Sequence, residues 1–126
     1  MDQTRILIVE DQADIRRLIR WALEDSDYML HEAASGELAL QLLPVLVPDL
    51  VLLDVMMPGS ADGYEVCRQI RANPALAKTR VMMLTAQARN SDQEKAMAAG
   101  AHAFLAKPFS PTKLIELVES LLAGAR

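Results

Sequence analysis

Glu10 and Asp11, Asp54, Thr85 and Lys107 each stand directly behind a short apolar run: "RILIV" at 5–9, "DLVLL" at 49–53, "RVMML" at 80–84 and "HAFLA" at 102–106. If those runs lie side by side, their trailing polar groups meet. Three carboxylates brought together would repel one another and raise their affinity for protons or for a cation. A hard divalent ion relieves that repulsion. Few protein ligands and a partly open shell suit Mg²⁺, or Mn²⁺ in its place, which keeps waters and shares coordination with a phosphoryl oxygen. Lys107 would add a point charge for the same phosphoryl group, and Thr85 a hydroxyl donor. Asp54, at the end of an almost unbroken apolar stretch, is then the available nucleophile.

The four runs lack polar alternation and read as strands covered on both faces. A fifth, "YMLHEA" at 28–33, mixes in polar residues and suits a strand nearer an edge. Between them the helical period takes over. Over 13–25 it places Ile15, Leu18, Ile19, Ala22 and Leu23 on one face and Arg16, Arg17 and Arg20 on the other. Further helices are expected at 35–44, 63–72, 88–100 and 110–124, the last with Ser110 as N-cap, Pro111 at its first position and Gly124 just past its end. Strict alternation of strand and helix specifies an α/β fold: a doubly wound, five-stranded parallel sheet, expected in the order 2-1-3-4-5. Ligands of such sheets bind at the carboxyl ends of the strands beside the switch point, where the polar groups named above fall.

The 126 residues are expected to form a single domain, 1–126, and their 52% hydrophobic and 24% charged composition is that of a compact chain. A net charge of −4, with thirteen scattered Lys and Arg, argues against direct nucleic-acid binding by this segment. Cys67 is the only cysteine, which excludes an intrachain disulfide and a zinc site built on several thiolates. A reducing, cytoplasmic setting is expected. The apolar stretch before Glu10 is too short for a signal peptide or a membrane span, so no membrane partner is expected.

Singly, each polar group has an ordinary structural explanation. An acidic pair after a strand opens a helix, with Asp11 as its cap; Asp favours turns, Thr is common at strand ends, and Lys107 could be solvated. Four strand ends carrying the required residue types in the required order outweigh those explanations. The acidic pair in "LIVEDQ", the Asp in "LLDVMMPG", the Thr in "MMLTAQ" and the Lys-Pro in "FLAKPF" resemble, across the whole chain, the receiver domain of two-component response regulators.

The resemblance implies a flavodoxin-like (βα)5 fold and a phosphorylation-dependent signalling switch. Asp54 would accept a phosphoryl group from a sensor histidine kinase, a histidine phosphotransfer protein or a small phosphodonor. Mg²⁺ would be held by Asp11, Asp54 and the main-chain carbonyl of Met56, with Glu10 acting through water. Thr85 would swing toward the new phosphoryl group, and Phe104 would turn inward, reshaping the face of the fourth helix, fifth strand and fifth helix toward an effector protein or output domain. An aromatic on a strand is equally well explained as core. Met56 and Gln87 would tune the phosphoryl lifetime by controlling water access, Ile15 would help dock the kinase, and the Lys107-Pro108 bond would be cis. Such a domain is a phosphoacceptor with self-catalysed phosphotransfer and autodephosphorylation, not a turnover enzyme.

Some features depart from the family pattern. "MPGSADGYE" is one residue longer than the usual arrangement, so the loop after Asp54 is expected to be reshaped. Phe104 stands where Tyr is frequent and cannot hydrogen-bond. Glu116 and Glu119 sit on the last helix, which lacks the basic residues of the common charged dimer, so a homodimer formed on phosphorylation would need other contacts. Trp21 lies off the apolar stripe of its helix and is expected to pack on a neighbouring helix, with a partner contact as the alternative. His31 and His102 are expected at the surface, His102 opening the fifth strand. An Asp-nucleophile phosphatase using Mg²⁺ would carry a second Asp two residues after the first, where Met56 stands. A receiver-like scaffold without phosphorylation would have no need of every site group, and no G-x-x-x-x-G-K-[ST] is present for nucleotide binding.

Overall fold

The computed structural model describes residues 3–86 and 89–124. Strands β1 (Thr4–Val9), β2 (Tyr28–Ala33), β3 (Leu50–Asp54), β4 (Arg80–Thr85) and β5 (Ala103–Ala106) pair in parallel in the order β2-β1-β3-β4-β5. Helices α1 (Ala13–Leu23), α2 (Gly36–Leu46), α3 (Gly63–Ala72) and α4 (Asn90–Ala98) return the chain between them, and α5 (Pro111–Gly124) follows the last strand. Both the alternation and the expected strand order are found.

Because side chains alternate across a strand, the apolar runs split into two cores. Leu7, Val9, Val51, Leu53, Val81 and Met83 face α2, α3 and α4, meeting Ala39, Leu43, Val66, Cys67, Ile70 and Ala96. Ile6, Ile8, Leu50, Leu52, Met82 and Leu84 face α1 and α5, meeting Ile19, Leu23, Leu114, Val118 and Leu122. Each fully buried Leu or Ile contributes roughly 1.5–3 kcal/mol, so these strands form a stiff platform. The continuous hydrophobicity of the three central runs is the signature of that double coverage.

Several expectations shift. β3 and β4 run one residue further than expected, so Asp54 and Thr85 are the last residues of their strands rather than the first residues beyond them. β5 is an edge strand: only Leu105 is buried, while Ala103, Phe104 and Ala106 are half-buried, so it is not covered on both faces. Helix α2 does not stop at Pro44 but continues to Leu46, because the Val47 N–H still reaches the Leu43 carbonyl at 2.9 Å and Val47 closes the helix in a left-handed conformation (φ 43°). A short 3₁₀ turn, Pro74–Leu76, was not anticipated; Asn73 caps it by accepting from the Ala75 N–H at 3.0 Å. Helix α1 is capped by Gln12 without a side-chain bond, so Asp11 does not cap it. Ser110 does cap α5, accepting from the Lys113 N–H at 3.0 Å, and the helix includes Gly124 instead of ending before it. Trp21 is 62% exposed, so it does not pack on a neighbouring helix.

His102 precedes β5 and is half-buried instead of lying free at the surface. Its Nδ1 accepts the Val81 N–H at 3.1 Å, while its own N–H donates to the Val81 carbonyl at 2.8 Å. Burial, with Arg71 and Arg80 nearby, lowers its pKa below the ordinary 6.5, which favours the neutral ring that this acceptor role requires. The folded state therefore takes up a proton later than the unfolded chain as pH falls. Stability supplied through His102 is fully present above pH 6.5 and drains away below it. Urea unfolding of wild type and His102→Gln should show their difference in stability shrinking on acidification from about pH 7.5 to 5; a difference that grew instead would contradict the assignment.

Candidate functional site

The parallel register brings the strand ends to one edge. Val9 pairs with Leu53, Asp54 with Leu84, and Thr85 with Ala106, so Glu10, Asp54, Thr85 and Lys107 follow or end neighbouring rungs. Backbone bonds fix this edge further. The Glu10 N–H donates to the Ala33 carbonyl at 3.1 Å, Val55 N–H to Leu84 at 2.9 Å, and Lys107 N–H to Thr85 at 2.6 Å. The Lys107-Pro108 bond is cis.

At the centre is a three-charge group. Lys107 Nζ lies 2.5 Å from Glu10 Oε1 and 3.2 Å from Asp54 Oδ1. Glu10 is fully buried and Asp54 is 4% exposed. Glu10 Oε2 also accepts the Gln12 N–H at 3.2 Å, and Asp54 Oδ1 accepts the Met56 N–H at 3.3 Å. Asp11, which is exposed, completes a set of carboxylates whose ligand oxygens all lie within 4.8 Å of one another.

Burial and the proximity of Asp54 push the Glu10 carboxyl up to about 7, although Lys107 pulls in the other direction. Burial likewise raises Asp54 against the lowering influence of Glu10 and Lys107. Burial works against the Lys107 ammonium, but Glu10 and Asp54 outweigh it and its pKa is raised. One cation therefore does not satisfy two buried anions. The excess is held as a proton or offered to a second positive charge. Hard carboxylate oxygens, one exposed ligand and the adjoining exposed Met56 make a partly open site of the kind a small divalent ion fits.

Thr85 is 2% exposed at the end of β4. Phe104 is half-buried and packs against the core on the α2, α3 and α4 side of the sheet. Ile15 is half-buried beside the site, where it lines a hollow of about 410 Å³ with Leu18, Ala86, Lys107, Pro108 and Phe109. Gln87 lies outside the described residues.

Three supporting contacts escaped the sequence reading. Arg16 Nη1 donates to the Glu10 carbonyl at 2.7 Å while Arg16 Nε donates to Glu32 Oε1 at 3.0 Å, tying α1 to β1 and β2 at the site. Gly63 packs on the backbone of Asp54 so closely that a Cβ there would fall 2.3 Å from the Asp54 carbonyl oxygen. Glu37, from α2, hydrogen-bonds the loop after β3. A glycine at the first position of a helix was a legible sign of close approach; the partners of Arg16 and Glu37 were not legible, because they belong to other elements.

The response regulator receiver domain model matches residues 6–119. ResD of Bacillus subtilis (strain 168), a transcriptional regulatory protein, is 43% identical over 124 residues, covering 98% of this chain and 50% of its own length. The phosphate regulon transcriptional regulatory protein PhoB of Rhizobium meliloti (strain 1021) is 34% identical over 122 residues, covering 97% of this chain and 53% of its own. The chain thus spans about half the length of these relatives. Among solved structures, the chemotaxis response regulator CheY4 of Vibrio cholerae superposes with a TM-score of 0.88 at 28% identity, covering 95% of this chain and 99% of that one. With the strand order, the site group and the family match in agreement, this chain belongs to the receiver domains of two-component response regulators.

Proposed function

We propose that this chain is a single receiver domain in which Asp54 is the phosphoacceptor of a signalling switch. The observation that carries this reading is the placement of the Asp54 carboxylate: nearly buried at the end of the central strand, 3.2 Å from Lys107 Nζ, within a three-carboxylate group. Asp54 Oδ attacks the phosphorus of a phosphohistidine in line. The O–P bond forms as the P–N bond breaks, and the electron pair leaves on the imidazole nitrogen. Lys107 holds its positive charge beside the attacking oxygen, and Thr85 offers a hydroxyl to the transferred group. Mg²⁺ or Mn²⁺, held by Asp11, Asp54 and the Met56 carbonyl with Glu10 acting through water, would supply the remaining charge neutralisation. The product is an acyl phosphate whose value is the state it creates; its self-hydrolysis resets the switch.

Thr85 and Phe104 are the proposed switch pair, reshaping the face of α4, β5 and α5 for an effector protein or output domain. Phe104 lies on an edge strand and is only half-buried, which supports a change in its packing. Ile15 and the apolar hollow beside Lys107 suit docking of a sensor kinase or histidine phosphotransfer protein, and the exposure of Trp21 now favours a partner contact for it as well. Among the described residues, no helix is long and apolar enough to cross a membrane, in keeping with a cytoplasmic site of action. Relatives of about twice this length are transcriptional regulators, so nucleic-acid contact, where it occurs, is proposed to belong to another domain.

Incubation with Mg²⁺ and acetyl phosphate should give one phosphoryl adduct by intact mass, removed by hydroxylamine and absent in Asp54→Asn. Absence of any adduct under saturating donor would favour the unphosphorylated scaffold, and steady phosphate release from many substrates would favour a phosphatase. Exchanging Met56 and Gln87 together should change the adduct's lifetime; identical decay would remove them as tuning residues.

The proton held at Glu10 makes a separate prediction. Its pKa is raised from 4.5 to about 7 in the fold, so the metal-free folded state holds more protons than the unfolded chain between those values. That contribution to stability is therefore present at low pH and lost as pH rises through the window. Cation binding must displace the proton, so the stabilisation produced by saturating Mg²⁺ should grow from about pH 5 to 7.5. Urea midpoints with Mg²⁺ and with EDTA measure the increment; a flat increment would count against a cation at these carboxylates.

A further inference from the structure

The loop from 55 to 62 follows Asp54 and is closed at its base, where the Gly63 N–H donates to the Val55 carbonyl at 3.0 Å. Its middle is held from a different element. Glu37, in the first turn of α2, reaches over it, and Oε2 accepts from Ser60 Oγ at 3.0 Å and from the Ala61 N–H at 2.7 Å. Gly59 lies under the same carboxylate with φ +106°, and a Cβ at that position would come within 2.8 Å of Glu37 Oε1. The backbone of α2 meets the loop directly as well, since a Cβ on Gly36 would fall 2.1 Å from the Ala61 carbonyl oxygen. Ala61 is only 4% exposed. The Ala61 N–H and then the Ser60 hydroxyl hold the Glu37 carboxyl below its ordinary range, so the tether is charged at neutral pH.

The near end of this loop touches the reacting group. Met56 donates its N–H to Asp54 Oδ1 at 3.3 Å, and the Gly63 backbone rests on the Asp54 carbonyl. We propose that Glu37 is a positioning residue for the site: by clamping Ser60 and Ala61 onto α2, it fixes the course of the loop whose Met56 main chain faces Asp54, and so sets the affinity for Mg²⁺. The inference rests on the phosphoacceptor reading above. A loop released from its clamp must be ordered when the ion binds, and that entropic cost opposes binding. A carboxamide oxygen can accept both bonds that the carboxylate accepts; a methyl group can accept neither.

Mg²⁺ titration calorimetry and acetyl-phosphate labelling at saturating Mg²⁺ test this in wild type, Glu37→Ala, Glu37→Gln and Leu122→Ala. Leu122 belongs to the α1 and α5 core and reports plain loss of stability. Glu37→Ala should bind Mg²⁺ about tenfold more weakly, with its labelling rate recovering at saturating Mg²⁺. Glu37→Gln should recover most of the affinity, and Leu122→Ala should match wild type. Wild-type affinity in Glu37→Ala, no recovery in Glu37→Gln, or equal weakening in Leu122→Ala overturns the inference. If wild type binds Mg²⁺ but takes up no phosphoryl group while Glu37→Ala still binds more weakly, the phosphoacceptor reading fails and the tether stands. If wild type labels and Glu37→Ala binds Mg²⁺ like it, the tether alone fails; no Mg²⁺ binding by wild type overturns both.

Discussion

Two buried carboxylates share one ammonium at the carboxyl edge of the sheet, and the remaining architecture follows from keeping them there. Lys107 lies within 3.2 Å of both Glu10 and Asp54, yet burial still raises both carboxyls, and the neighbouring Asp54 raises Glu10 further. A lone buried anion would cost more than a domain's marginal stability easily tolerates. The Lys107 pair lowers that cost without removing it. What is left is a standing demand for positive charge, of the kind that a proton or a small divalent cation can meet.

Holding such a group requires a frame that does not yield. The central strands are buried on both faces, and their ladders bring the strand ends to adjacent rungs. Asp54 is itself a rung of β3, so its backbone cannot drift, and Gly63 presses α3 against that backbone where any side chain would collide. Burial decreases outward from there. β5 is short and at the edge, and Phe104 on it is only half-buried. The proposed phosphoacceptor sits on the well-covered centre, while the element proposed to respond sits on the edge, where local rearrangement costs less.

Much of this was legible in the chain. Apolar runs without alternation marked buried strands, the period of Ile15, Ile19 and Leu23 marked a helix, and Ser110 with Pro111 marked a helix start. Asp54, Glu10 and Lys107 were legible because each polar residue interrupted or followed an apolar run at a point where burial would be expensive. Other positions misled for definite reasons. Periodicity records which side of a helix is polar but not what lies opposite, so Trp21 could be taken for a packed residue although it is 62% exposed. Composition cannot distinguish an edge strand from a central one, which is why "HAFLA" looked like its fully covered neighbours. A proline normally ends a helix, but near the last turn of α2 the Val47 N–H can still reach back over it to Leu43.

By itself the sequence determined the order of elements, which faces are dry and which chemical groups each strand ends with, because those properties depend on neighbours a few residues apart. The tertiary structure decided the contacts between distant segments: Lys107 on Glu10 across 97 residues, Arg16 on the Glu10 carbonyl, and Glu37 on a loop 24 residues further along. No local pattern encodes those distances. They arise only when parallel crossovers lay the strands in the order β2-β1-β3-β4-β5 and bring the helix starts and loops together at one edge, where burial turns ordinary carboxylates into a site.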